Sequence, residues 1–239
     1  MTDLVYLRDA YLTDFDATVV AVDGLRVELD RTLLYPTGGG QAHDTGGLTW
    51  DGGGAPVVEV RKDGEQVWHR LADGSVGPSV GATVHGTVDW PRRHQMMRTH
   101  TALHVLCGVI WNRWGVSVTG GNMEPLSARM DFEFDPLPEG FAADVEAAVN
   151  AELQADRPIE VSFLPYAAAQ TDPELIRTKV NMIPAHVSEI RVVDIVGLDK
   201  QADGGTHVRT TDEVGRVRVV KTESKGKGFK RVRLEVVDA

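Results

Sequence analysis

Four side chains able to donate lone pairs to a metal fall in two matching pairs, His100 with His104 and, about a hundred residues later, Asp203 with His207. If residues 100 to 104 are helical, the two imidazoles leave one face a turn apart, as neighbouring ligands of a tetrahedral zinc must. The second pair has the same i, i+4 separation across a flexible Gly204-Gly205 turn, and it offers the other half of one site. Neither half is strong evidence alone, since an H-x-x-x-H spacing is more often two solvent or core histidines than a ligand pair. A peptidase of the H-E-x-x-H kind is excluded, because Thr101 follows His100 where its general-base glutamate would stand. Cys107 is the single cysteine, which rules out an internal disulfide and a C-x-x-C knuckle. It shares the helical face of the histidines and reads either as a small buried apolar residue or as a side chain within reach of the metal.

The elements that must position these residues are legible from the change of period along the chain. Up to residue 90 short apolar runs (18–29, 56–60, 66–71 and 84–88) alternate with Asp-Gly turns at Asp23, Asp63 and Asp73, which predicts a small β-barrel domain over residues 1–90. Within it, Tyr35 to Gly47 is too long and too rich in glycine for a simple turn. It reads as a loop whose backbone comes close to a ligand, or as an entropic surface loop. Asp89 is a plausible N-cap and Pro91 suits a first helical turn. Met97, Leu103, Leu106, Ile110 and Trp114 then recur at helical spacing until Gly115. Strands are expected over 128–134, 159–164, 190–196, 214–221 and 229–237, with helices over 141–155 and near 174–178. Residues 91–239 therefore form a second, α+β domain in which helices lie on an antiparallel sheet.

At 239 residues and a net charge of −10 the chain is poorly suited to indiscriminate nucleic-acid binding, yet its charge is unevenly spread. Residues 200–239 hold ten Lys or Arg against six Asp or Glu, so the remainder carries about −14. Lys221, Lys225, Lys227, Lys230, Arg231 and Arg233 crowd round Gly226, Gly228 and Phe229, and a second cluster, Arg92, Arg93, His94 and Arg98, opens the histidine helix. Each is either a solvated basic face or a phosphate-contacting rim whose grip weakens with salt. No apolar run approaches the roughly 18 residues of a membrane span, and the N-terminus does not begin like a signal peptide, so a soluble, cytoplasmic protein without a membrane is expected.

The motifs Tyr35-Pro-Thr-Gly-Gly-Gly-Gln-Ala-His-Asp-Thr-Gly46, Val88-Asp-Trp-Pro-Arg-Arg93, Met97-Arg-Thr-His-Thr-Ala-Leu-His104, Ser127-Ala-Arg-Met-Asp-Phe132 and Gly204-Gly-Thr-His-Val208 with Glu213-Val-Gly215 occur in order. Together they resemble the AlaX-type alanyl-tRNA editing proteins, freestanding relatives of the editing domain of alanyl-tRNA synthetase. The likeness spans nearly the whole chain and fits the medium-length class, with an N-terminal barrel ahead of an α+β editing domain. It implies one zinc ion per chain held by His100, His104, Asp203 and His207, of which the three histidines serve catalysis. The family usually has cysteine where Asp203 stands. Carboxylate for thiolate makes the site harder, so Asp203 is either a ligand or leaves a three-histidine site open to water or another divalent ion.

The resemblance further implies hydrolysis of tRNA(Ala) mischarged with serine, with glycine as a second target, and no obligate protein partner. A synthetase pocket shaped for a methyl group rejects such neighbours weakly, so a second site must remove the errors. Thr119 is the candidate for contacting the serine hydroxyl, or else a plain turn residue, and Gln41 is a second polar candidate. Gly39 and Gly40 belong with them at the substrate, and backbone N–H groups of Gly39, Gly40, Gly204 and Gly205 are candidates to stabilise an oxyanion. Lys225, Lys227, Lys230 and Arg231 are the expected tRNA contacts. An ion here could polarise the ester carbonyl, activate water or orient the substrate amine. Two competing readings are a tRNA-binding module of the same fold that has lost catalytic power, and a metallohydrolase acting on a small ester or amide.

Overall fold

Several strands of the N-terminal half bury every second side chain, and closing the strands into a barrel is what gives the buried row a common interior. The computed structural model describes residues 2–169, 175, 188–226 and 228–238; the short helix expected near residues 174–178 falls mostly outside them. The chain divides into two compact units, Met1–Gln95 and Met96–Ala239.

In the first unit, β2 (Asp14–Asp23), β3 (Arg26–Leu29), β5 (Gly46–Trp50), β6 (Gly53–Asp63), β7 (Gln66–Leu71) and β8 (Thr83–Val88) close in the order β2-β3-β7-β6-β5-β8. Two short segments, β1 (Asp3–Leu4) and β4 (Arg31–Thr32), pair in parallel beside it. The alternation in β7 turns Val67, His69 and Leu71 inward, and that in β8 turns Val84, Gly86 and Val88 inward. His69 is a polar residue in this apolar row, and it is tolerated because both ring nitrogens are satisfied. Nδ1 lies 3.0 Å from the Val27 carbonyl, while Nε2 lies 2.8 Å from the Thr32 hydroxyl, which itself accepts the Leu34 N–H.

The glycine-rich segment is not a loop throughout. Gly46 and Gly47 open β5, paired with Val57 and Pro56 on one side and with Val88 and Thr87 on the other. A Cβ at Gly46 would stand 2.0 Å from the Thr87 carbonyl oxygen, so glycine is required there for strand approach. What remains is a loop whose ends meet. Asp44 accepts the Tyr35 N–H at 2.6 Å and forms an ion pair with Arg93, which donates also to the Leu33 and Ala10 carbonyls. Arg93 is fully buried, so it is neither a solvated cation nor a phosphate contact. Removing one partner of such a pair costs roughly 3–5 kcal/mol.

The unit boundary falls within α1 (Trp90–Trp114). Asp89 accepts the Arg92 N–H at its start, and Gly115, with φ of +65°, ends it by donating to the Trp111 carbonyl. Residues 99–110 are buried without interruption, so the middle of α1 is enclosed on all sides rather than amphipathic. The polar residues Thr99, His100, Thr101 and His104 inside that stretch must therefore be satisfied within the protein.

The second unit is α+β, with two antiparallel sheets where one was expected. One has the order β14-β15-β10-β9, from β9 (Val118–Glu124), β10 (Ser127–Phe132), β14 (Arg216–Ser224) and β15 (Lys230–Val237); the other is β11 (Ile159–Pro165), β12 (Glu189–Ile195) and β13 (Asp199–Ala202). Beyond α1, α2 (Phe141–Gln154) covers the β14 edge. Its Asn150 exchanges hydrogen bonds with both backbone groups of Val217, and Glu146 accepts the Val219 N–H. Among the described residues no helix is long and apolar enough to cross a membrane.

Candidate metal centre

Within the second unit, the middle of α1 and the loop after β13 bring His100, His104, Asp203 and His207 together, with one donor atom from each lying within 4.8 Å of all the others. The ring centroids of His100 and His207 are 4.3 Å apart, those of His104 and His207 4.7 Å, and those of His100 and His104 5.1 Å. Asp203 completes the cluster, 3.1 Å from His207 Nε2 and 3.6 Å from His100 Nε2. Tetrahedral ligands about 2.0 Å from a zinc stand about 3.3 Å apart, so this cluster is close to the required spacing.

His104, His207 and Asp203 are held from behind. His104 Nδ1 meets Asp199 Oδ2 at 3.0 Å, and His207 Nδ1 meets the Thr101 hydroxyl at 3.1 Å, which turns their Nε2 atoms toward the cluster. Asp203 accepts the Gly205 N–H at 2.7 Å, closing the two-glycine turn that delivers His207 four residues on. Arg191, buried on β12, donates to the Asp203 carbonyl at 2.8 Å and lies 3.6 Å from its carboxylate.

The electrostatics suit a divalent cation. Burial pushes His100 well below the ordinary histidine value against the pull of Asp203, and burial likewise lowers His207 to about 4. Both rings are then neutral, with a lone pair available, at neutral pH. Burial is the largest single influence on His104 and acts to lower it, but the hydrogen bond to Asp199 and the negative charges of Asp199 and Asp203 together outweigh that and raise it. Asp203 is opposed by burial, yet the pull of His100 and His207 wins and holds its carboxyl well below the usual carboxylate range. Three imidazoles and an anionic carboxylate, enclosed and held in place, fit a first-row divalent ion.

The curated protein "Alanyl-tRNA editing protein AlaX-M" of Saccharolobus solfataricus is 37% identical over 97% of this chain and 98% of its own length. Its namesake in Methanosarcina barkeri is 34% identical over the whole of both. This chain belongs to the AlaX-M family. A profile described as threonyl and alanyl tRNA synthetase second additional domain matches residues 190–233, and one described as tRNA synthetases class II (A) matches residues 7–92. "Alanine--tRNA ligase" of Pyrobaculum neutrophilum is 37% identical over 95% of this AlaX-M chain, which spans 26% of that ligase.

None of the other candidate residues is among the four clustered donors. Thr119 is half-buried in β9, not in a turn. The register shifts there from Asp131–Gly120 to Phe132–Val118, so Thr119 is the extra residue of a β-bulge, a device that re-aims a side chain. Gln41, Gly39 and Gly40 are in the first unit. Gly38 and Gln41 exchange backbone hydrogen bonds, Gly39 and Gly40 take the positive φ values of the turn between them, and Gln41 is buried. Gly204 is exposed and Gly205 buried in the turn before His207. Lys225 is exposed near the β14–β15 hairpin tip, Lys230 donates to Ser224, and Lys227 lies outside the described residues. Arg231 is committed to Asp131, with bonds of 2.7 and 2.8 Å. The sequence reading missed Asp199, Thr101 and Arg191, because no spacing rule marks a residue that touches a ligand from behind.

Proposed function

We propose that this chain removes serine from wrongly charged tRNA(Ala) by hydrolysing the aminoacyl ester, with glycine as its second target. The reading is carried by the convergence of His100, His104, Asp203 and His207 in a chain that aligns end to end with curated alanyl-tRNA editing proteins. We assign the barrel as the N-terminal domain and the second unit as the editing domain, acting in the cytoplasm on a tRNA partner. The ion, taken here to be zinc, would be held by the three histidines and Asp203 and would supply Lewis-acid activation of carbonyl or water.

The chain's own residues then carry separable tasks. The neutral rings of His100 and His207 and the anionic Asp203 offer a cation lone pairs without losing a proton, whereas His104, raised by Asp199 and Asp203, is the ring from which a cation would displace one. The Gly205 N–H is given to the Asp203 carboxylate, so of the two glycine amides only that of Gly204 is kept as an oxyanion donor, while Thr119 and Gln41 read the amino acid. A hydroxyl that pairs with serine is left unpaired by alanine, and that penalty protects the correct product. Water adds at the ester carbon and the ribose oxygen leaves as a hydroxyl, releasing serine and uncharged tRNA.

Deacylation of Ser-, Gly- and Ala-tRNA(Ala) with and without a chelator tests this. Ser-tRNA(Ala) is expected to be cleaved at least tenfold faster than Ala-tRNA(Ala), chelation to abolish the activity, and Thr119→Val to erode the selectivity while leaving tRNA affinity intact. Equal rates on serine and alanine, or no cleavage after metal loading, would overturn it.

A further inference from the structure

Resting on the metal-centre reading, we propose that Asp199 is a positioning residue of this centre. It holds the Nδ1–H of His104 so that Nε2 faces the ion, Gln201 braces its carboxylate, and Gly108 admits the strand that carries both. Asp199 is not among the four clustered donors. It sits on the opposite side of the His104 ring, with Oδ2 3.0 Å from Nδ1. An imidazole whose Nδ1–H is given to a carboxylate is fixed in tautomer and ring orientation, and its other nitrogen becomes a better donor.

The contact is built by the fold. Asp199 and Gln201 are two apart on β13, so they project from one face, and that face meets α1. Gln201 Nε2 donates to the same Asp199 oxygen at 2.7 Å and lies 3.4 Å from Cys107 Sγ, one turn beyond His104. Asn112 donates to the Leu198 carbonyl at 3.3 Å, pinning the start of the strand a further turn along. Between these contacts stands Gly108. A Cβ there would lie 2.9 Å from Leu198 Cγ, 3.0 Å from the Leu198 carbonyl oxygen and 3.1 Å from Asp199 Cβ. A glycine in the middle of a long buried helix is unfavourable by itself, and here its absent side chain is what brings Asp199 to His104. The Asp199 side chain is wholly buried, and a buried carboxylate is tolerated only where donors converge on it. Cys107, close enough in sequence to be considered a ligand, instead lines the Gln201 side of this brace.

The test compares wild type with Asp199→Ala, Asp199→Asn and Gly108→Ala, using chelator competition for zinc and the visible spectrum of the cobalt-loaded protein. Asp199→Ala is expected to weaken zinc binding about 10–100-fold, the range for removing such a partner. Asp199→Asn, which keeps an acceptor without the charge, should lose less while still shifting the cobalt bands. Gly108→Ala should weaken binding with the carboxylate intact, so the role remains testable if Asp199→Ala fails to fold. Wild-type zinc affinity and spectrum in folded Asp199→Asn and Gly108→Ala would overturn the positioning role alone. A wild-type chain that takes up no divalent ion would overturn the metal-centre reading and this proposal with it.

Discussion

At the scale of single residues, Asp203 carries two tasks that other side chains would separate. Its carboxylate faces His100 and His207 as a donor, and it also accepts the Gly205 N–H that closes the turn leading to His207. Asparagine preserves an acceptor for that turn but loses the charge, alanine loses both, and cysteine restores an anionic ligand without a carbonyl-like acceptor. Asp203→Asn is therefore expected to keep the thermal stability of the metal-free protein while weakening zinc at least tenfold. Asp203→Ala should lose affinity and, in addition, about 1 kcal/mol of stability through the orphaned amide. Asp203→Cys should retain or tighten zinc, because thiolate is the softer ligand. Chelator competition and thermal melts on the same samples check all three. Equal zinc affinity throughout would leave Asp203 as a turn-former only.

At the scale of elements, local period marked β2 with β3 as one run, β6, β7 and β8 but not β5, together with α1 with both its ends and the four clustered donors, because alternation, capping and i, i+4 spacing are local properties. What escaped was decided by contact. Gly46 read as loop because its need for glycine comes from the Thr87 carbonyl on another strand. That Thr119 stands in a bulge, rather than in the turn that was one of its two readings, depends on partner register, and Asp199 went unnoticed because its meaning comes from His104 across the sheet–helix contact. His69 is a further case, a polar residue within β7 that only its two hydrogen bonds explain. Burial lowers its pKa to about 4, against the Val27 carbonyl that acts to raise it, whereas the unfolded chain protonates near 6.5. The unfolded state thus takes up a proton first as pH falls. The contribution of neutral His69 is complete above about pH 6.5 and is lost progressively toward pH 4, by about 3 kcal/mol in all. His69→Gln cannot titrate, so the stability gap between wild type and this variant in urea should narrow by that amount from pH 7 to pH 4. Histidines shared by both proteins cancel from the difference. A gap independent of pH would show that the ring does not titrate as its burial demands.

At the scale of the whole molecule, a chain of net charge −10 repels a polyanion, so the proposed tRNA partner must be approached through a local excess of positive charge. The C-terminal hairpin is the richest such region, yet its cations are not equivalent. Arg231 lies directly opposite Asp131 across the β10–β15 ladder and is bonded to it through two nitrogens, and Arg233 and Lys221 both turn to Glu223. Arg218 pairs with Glu235. Lys225 is exposed at the hairpin tip and Lys230 stands beside it at the start of β15. A phosphate contact releases counterions, so each lysine that makes one adds roughly 0.7–0.9 to the slope of log affinity against log salt. Lys225→Gln with Lys230→Gln is therefore expected to flatten that slope by about 1.5 and to weaken all tRNAs alike, charged or uncharged, with the melting temperature unchanged. Arg231→Gln should do the reverse, lowering the melting temperature by unpairing Asp131 between two strands while leaving the salt slope near that of wild type. Salt titrations of tRNA binding, read beside melts of each variant, separate the two. If Arg231→Gln flattened the slope as much as the lysine pair, the ion pair with Asp131 would have to open on binding, and Arg231 would belong to the RNA contact after all.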